Sequence, residues 1–130
     1  MDFRTAWNIL KNRDFLAKNR NLIYGYGKVR FHNKFESFSH FMVKAALSYA
    51  IYAKNGDGLV TELDLSDSRT VDAVQIKDAS NIIGYEIESK CNKKEKINGL
   101  DIIEVKISRM PLKAKAGIEE LRKWCQEIVV

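Results

Sequence analysis

The chain is short of the residues that break, staple or anchor a fold. One proline and seven glycines in 130 residues leave little room for a linker, so a single domain is expected over 1–130. Two cysteines, Cys91 and Cys125, stand far apart with no His or Cys at ligand spacing. They read as free thiols of a reducing, cytoplasmic compartment. Met1-Asp2-Phe3-Arg4 lacks the basic-then-apolar pattern of a signal peptide. The longest helical candidate, near Phe35–Lys54, is punctuated by His40, Lys44 and Ser48, so no membrane span is expected. Neither an internal repeat nor a low-complexity tract is present.

What is there is ordinary globular composition, 45% apolar and 30% charged, which argues against disorder and suffices for one core. Net charge is +5, unevenly spread. Residues 1–34 hold Arg4, Lys11, Arg13, Lys18, Arg20, Lys28, Arg30 and Lys34 against Asp2 and Asp14, a net +6, so the other 96 residues net −1. A basic arm on a near-neutral body suits a polyanion, most often nucleic acid. A solvated, lysine-rich surface is the alternative, and charge alone does not choose.

Phe3, Ala6, Trp7 and Leu10 fall at helical spacing behind Asp2, predicting a capped helix over 3–18. Residues 19–33 read as a loop or short ribbon, completing a basic N-terminal unit over 1–33 ahead of a core over 34–130. In that ribbon Tyr24, Tyr26 and Phe31 interleave with Lys28 and Arg30. Such rings can stack on bases while the cations meet phosphates; a packed loop with exposed charges is the other reading. Asn33-x-x-Glu36 resembles a capping box and opens a second helix to Lys54, apolar all round and so expected to be buried. Asn55-Gly56-Asp57-Gly58 ends it. The period then becomes two, with strands expected at Leu59–Leu65, Thr70–Lys77, Ile82–Lys90 and Asp101–Ser108. Asn92–Ile97 is expected to add one helical turn, and Leu112–Ile128 a last helix.

The chemistry lies on the second and third of these strands. Alternation puts Glu86, Glu88 and Lys90 on one face, and Asp72 beside Val74 and Ile76. Paired as a hairpin, the strands are expected to bring Asp72, Glu88 and Lys90 together. Two carboxylates side by side are stable with a divalent cation between them, and Mg²⁺ (or Mn²⁺) takes such hard oxygen ligands while keeping waters. One of those waters is acidified for attack on phosphorus, and a lysine can orient it or neutralise transition-state charge. Against this, charged residues alternating on a strand usually form a solvated face, and Glu104-Val105-Lys106 repeats the Glu-x-Lys tripeptide.

The order of a helical acid (Glu36), a strand Asp (Asp72) and Glu88-x-Lys90 on the next strand resembles the PD-(D/E)xK nuclease superfamily. That superfamily includes type II restriction enzymes and archaeal Holliday-junction resolvases. The resemblance spans roughly residues 33–124. It implies an α/β, restriction-endonuclease-like core: a central mixed sheet of about four strands flanked by helices in the order α-β-β-β-α-β, here with an extra N-terminal helix. It implies catalytic Asp72, Glu88, Lys90 and Glu36, metal held by Asp72 and Glu88, and hydrolysis of DNA. His40, one turn from Glu36, and Glu62 on the first strand match subfamilies with additional acids or a histidine at the site. Each also has a structural reading, as a hydrogen-bonded histidine and an exposed strand acid. Arg69 suits a phosphate contact or a turn. Val71 stands where the motif has proline, and Glu86 where aliphatic residues often stand. The segment after Lys90 is short for the usual helix. A homodimer would follow by analogy with single-site enzymes that cut two strands. Two other readings stand beside the nuclease: a non-catalytic nucleic-acid-binding module on the same scaffold, and a regulatory interaction domain of viral or mobile-element origin.

Overall fold

Period-two patterning from Leu59 onward becomes a mixed sheet, with the helices covering both faces. The computed structural model describes residues 2–13, 24–25, 29, 38–56, 59–65, 70–88, 96–97, 100–106 and 118–130. The elements are α1 (Phe3–Asn12), β1 (Tyr24–Gly25), α2 (Phe38–Asn55), β2 (Leu59–Asp64), β3 (Thr70–Ile76), β4 (Ile82–Glu88), β5 (Lys96–Ile97), β6 (Leu100–Lys106) and α3 (Ile118–Ile128). The sheet order is β1-β2-β3-β4-β6-β5. The four central strands carry six or seven residues each; β1 and β5 are two-residue ribbons at the edges. β2, β3 and β4 form an antiparallel meander, and β6 joins β4 in parallel.

Each face of the sheet buries its own core. Val43, Leu47, Ala50 and Ile51 of α2 pack with Ala73, Tyr85, Ile87 and Val105, and with Leu121 and Cys125 of α3. Ala6 and Leu10 of α1 pack on the other face with Val60, Val74, Ile76, Ile82 and Leu100. α1 starts where expected because the Asp2 carboxylate accepts the Thr5 N–H at 2.8 Å; bonding to the Thr5 side chain first, and to this N–H second, lowers the Asp2 pKa. Its described length ends at Asn12 rather than at residue 18, and 14–18 lie outside the described residues. α2 ends at Gly56, whose φ of +68° suits glycine and whose N–H returns to the Tyr52 carbonyl at 2.8 Å. The β3–β4 turn is built by Asp78, whose carboxylate accepts from the Ser80 and Asn81 amides at 2.8 and 2.9 Å. Side-chain bonding to Asn81 is the main reason its pKa is lowered.

Two expectations fail. α2 is not buried all round: Tyr49 and Tyr52 are 40% and 49% exposed. It packs against one sheet face and α3, which leaves its remaining side in solvent. The helical turn expected over Asn92–Ile97 is not formed by Lys96 and Ile97, which pair antiparallel with Asp101 and Leu100. The open edge of β6 offers these two residues ladder partners that a helical turn would forgo.

Candidate active site

Strand alternation breaks at one row of the sheet. Val60 and Leu63 both pack in the core beneath α1, and so do Val71 and Val74. Residues three apart on a regular strand face opposite sides, so β2 and β3 each switch face in between. On β2 the switch falls at Glu62, whose φ is +53°, the one positive φ outside glycine among the described residues. On β3 it falls at Asp72. The two lie across from each other, because Thr61 pairs with Ala73 and Leu63 with Val71.

The switch turns both carboxylates toward α2. The Lys44 ammonium donates to Glu62 Oε1 at 2.8 Å, and both side chains are buried, at 0% and 5% exposed. His40 Nε2 lies 3.5 Å from Asp72 Oδ1, and these side chains are half-buried, 19% and 15% exposed. His40 and Lys44 are four residues apart on α2, so one face of one helix reaches both acids. Asp72 therefore does not share a face with Val74 and Ile76, as unbroken alternation would require.

Toward β4 the ladder ends at Ala73 with Tyr85. One step further, side chains replace it: the Ile87 N–H donates to Asp72 Oδ2 at 2.7 Å, and the Asp72 N–H donates to Glu86 Oε1 at 3.3 Å. The register thus sets Glu86, not Glu88, against Asp72. Glu88 lies two residues further along β4, paired with Lys106 of β6; its side chain is outside the described residues. So are Lys90, Glu36, Arg69, Tyr26, Lys28 and Arg30, while Tyr24 is described only as backbone paired with Val60.

Glu86 is 6% exposed and pairs in parallel register with Glu104. Both belong to the α1 side of the sheet, where β4 and β6 place Ile82, Leu100 and Ile102. Glu104 Oε1 is buried with no hydrogen-bond partner among the described residues. Glu62, Asp72, Glu86 and Glu104 thus occupy one register row across β2, β3, β4 and β6, the first two turned toward α2 and the last two toward α1. Its two central members are joined where β3 and β4 stop pairing, by the bond from the Asp72 N–H to Glu86 Oε1.

Among the described residues, no group of three His, Cys, Asp or Glu side chains is placed to hold a metal ion. Mg²⁺ asks for less, since one or two carboxylates with waters and substrate phosphate suffice. Asp72 supplies hard oxygens of that kind, with Oδ2 committed to the Ile87 amide, whereas Glu86 belongs to the α1 side and its Oε1 accepts the Asp72 N–H. The described donors therefore offer such an ion one carboxylate, Asp72, and do not form a two-carboxylate site. Lys44 and Glu104 were not anticipated as neighbours of this site. The signal for Lys44 is His40-x₃-Lys44-x₃-Ser48, a polar stripe at helical spacing on an otherwise apolar helix; Lys44 and Ser48 are both buried.

No helix among the described residues is long and apolar enough to cross a membrane. No protein-family model, curated protein or solved structure matches this chain.

Proposed function

We propose that the chain is a divalent-metal-dependent nuclease that hydrolyses DNA phosphodiester bonds, centred on Asp72. The observation that carries this reading is the seating of the Asp72 carboxylate between His40 and the Ile87 amide at the point where β3 and β4 part. The strand order agrees with a restriction-endonuclease-like core: a helix, three antiparallel strands and a crossover to a parallel fourth. Asp72 would hold Mg²⁺ or Mn²⁺, with Glu88 as the candidate second acid, while Glu86 braces the Asp72 N–H. The ion would supply an acidified water and offset charge on the phosphate. The Ile87 amide fixes Asp72 Oδ2, so the other oxygen is presented in one orientation. His40 beside that oxygen can donate to it or take a proton from a neighbouring water. Lys90 would steady the transition state, and the basic residues of 1–34 would grip the DNA backbone. Cutting both strands of a duplex would take two copies of a single-site chain.

The test is incubation of linear, single-stranded and branched DNA with Mg²⁺ or Mn²⁺. Product is expected from the wild type, and little or none from Asp72→Asn or Glu88→Gln. Activity retained in both variants refutes the assignment. Salt-sensitive binding without cleavage under either metal, unchanged by Glu88→Gln, selects a nucleic-acid-binding module instead. Failure to bind any nucleic acid at low salt selects a protein-interaction domain.

A further inference from the structure

Two costly features coincide at Glu62. Its backbone is held at a φ of +53°, a region that side chains other than glycine, asparagine and aspartate rarely occupy. Its carboxylate is buried in an ion pair with a fully buried lysine. Buried ion pairs are weak sources of stability, because desolvating two charges offsets most of their attraction. Strained backbone outside glycine concentrates at functional sites, where the surrounding structure over-determines it. Neither feature is needed to close the sheet: Thr61 with Ala73 and Leu63 with Val71 keep one register on either side.

What the kink does is visible at Asp72. Because β2 changes face at Glu62, Leu63 joins Val60 beneath α1, and Val71, paired with Leu63, follows it. Asp72 is then left on the α2 side, next to His40 and within reach of the Ile87 amide. A relaxed strand conformation at Glu62 would return Leu63 to the α2 face and carry Val71 with it. Asp72 would then turn toward α1. Lys44 stands one helical turn from His40, so the helix that presents the histidine also anchors the kink.

We propose that Lys44 and Glu62 are positioning residues: their buried ion pair holds β2 in the left-handed kink that keeps Asp72 turned toward His40 and bonded to the Ile87 amide. This builds on the reading of Asp72 as the central acid of the site. Both side chains are buried, and the role is separable from turnover.

The test reads the Ile87 amide by ¹⁵N NMR, with Asp72→Ala marking the signal that lacks its acceptor. In Lys44→Met the Ile87 resonance is expected to move most of the way to the Asp72→Ala position. Its hydrogen exchange should quicken about tenfold or more, the effect of losing one hydrogen bond. The Leu47 and Val105 amides should hold their wild-type shifts, showing that the core is intact. Lys44→Arg, which keeps the charge, should leave Ile87 near its wild-type position. In cleavage assays Lys44→Met should lower kcat about tenfold or more with KM little changed, and Lys44→Arg should restore it. An unmoved Ile87 signal in folded Lys44→Met overturns the proposal, whatever the kinetics. If Lys44→Met does not fold, Glu62→Gln takes its place: displacement of Ile87 in the same direction supports the proposal, and no displacement overturns it. Absence of cleavage in the wild type would end the nuclease reading, while the Ile87 result would still decide the positioning role.

Discussion

Replacing Lys44 with methionine removes the cation from a pair whose members are 0% and 5% exposed at their side chains. Methionine fills nearly the same volume, so packing is largely kept and the Glu62 charge is left behind in the interior. Breaking one arm of a buried pair costs about 3–5 kcal/mol. The lower end applies here, because the slight exposure of Glu62 lets solvent relieve part of the charge. An unfolding entropy of about 2.1 cal/mol/K per residue gives about 0.27 kcal/mol/K for a chain of 130 residues, so about 3 kcal/mol lowers Tm by about 11 °C. Glu62→Met alone should cost a similar amount, since it strands the lysine. The double variant Lys44→Met/Glu62→Met removes both charges. It also puts an unbranched side chain at position 62, which the strand accepts kinked or relaxed, and should return to within about 1 kcal/mol of the wild type. Urea denaturation followed by circular dichroism measures all four proteins, and the cycle should show a coupling of several kcal/mol. Single variants that cost less than about 1 kcal/mol, or a double variant as unstable as the sum of the two, would refute the reasoning.

At Gly84 an added methyl would sit 2.5 Å from Ile102 Cδ1, 3.1 Å from Leu100 Cδ2 and 3.3 Å from Val71 Cγ1. Gly84→Ala should therefore destabilise by about 1–2 kcal/mol in urea, despite the gain from replacing a strand glycine; equal or higher stability would contradict it. Burial pushes the Tyr85 phenol from 10.0 up to about 12, and its hydroxyl donates to Gln75 Oε1 at 2.7 Å. The unfolded phenol ionises first, so this contribution to stability is whole below pH 10 and is lost as pH rises from 10 toward 12. Tyr85→Phe should flatten that stretch of the stability–pH curve, and an unchanged slope would speak against it. Burial likewise raises the Cys125 thiol from 9.0 to about 12, so it should resist a thiol reagent at pH 8 in the folded chain and react once urea unfolds it. Rapid labelling of Cys125 under native conditions would contradict its placement.

The strands were legible because alternation reports one buried face at a time. Leu59, Thr70 and Ile82 begin strands where expected, and the first two of these strands end one residue early. Which acids face each other was harder, since it depends on register. Lys77 and Asn81 close the turn with a 3.0 Å backbone bond, and counting back from them sets residue 72 against residue 86. Asp72 with Glu88 requires a two-residue slip. The face switch at Glu62 had no signature at all, because glutamate is not a residue that announces positive φ. Its partner, Lys44, lies 18 positions away on another element, and only the folded sheet brings them together.

The parallel pairing of β6 with β4 has a consequence for how the chain assembles. β2, β3 and β4 are joined by turns of about five residues, and α2 leads directly into β2. The β4–β6 pair needs a crossover through 89–99, and α3 reaches α2 only from the far end of the chain. Closing such loops costs entropy before any contact rewards it, so local hairpins form early and the crossover late. Val74→Ala in β3 should slow refolding in stopped-flow measurements, whereas Leu121→Ala in α3 should chiefly speed unfolding. The reverse pattern would place the nucleus among the helices. With this order, Lys44, Glu62, Asp72 and Glu86, all within 38–88, would find their places before β6 and α3 dock, and those last elements would act as a clasp on a site already drawn.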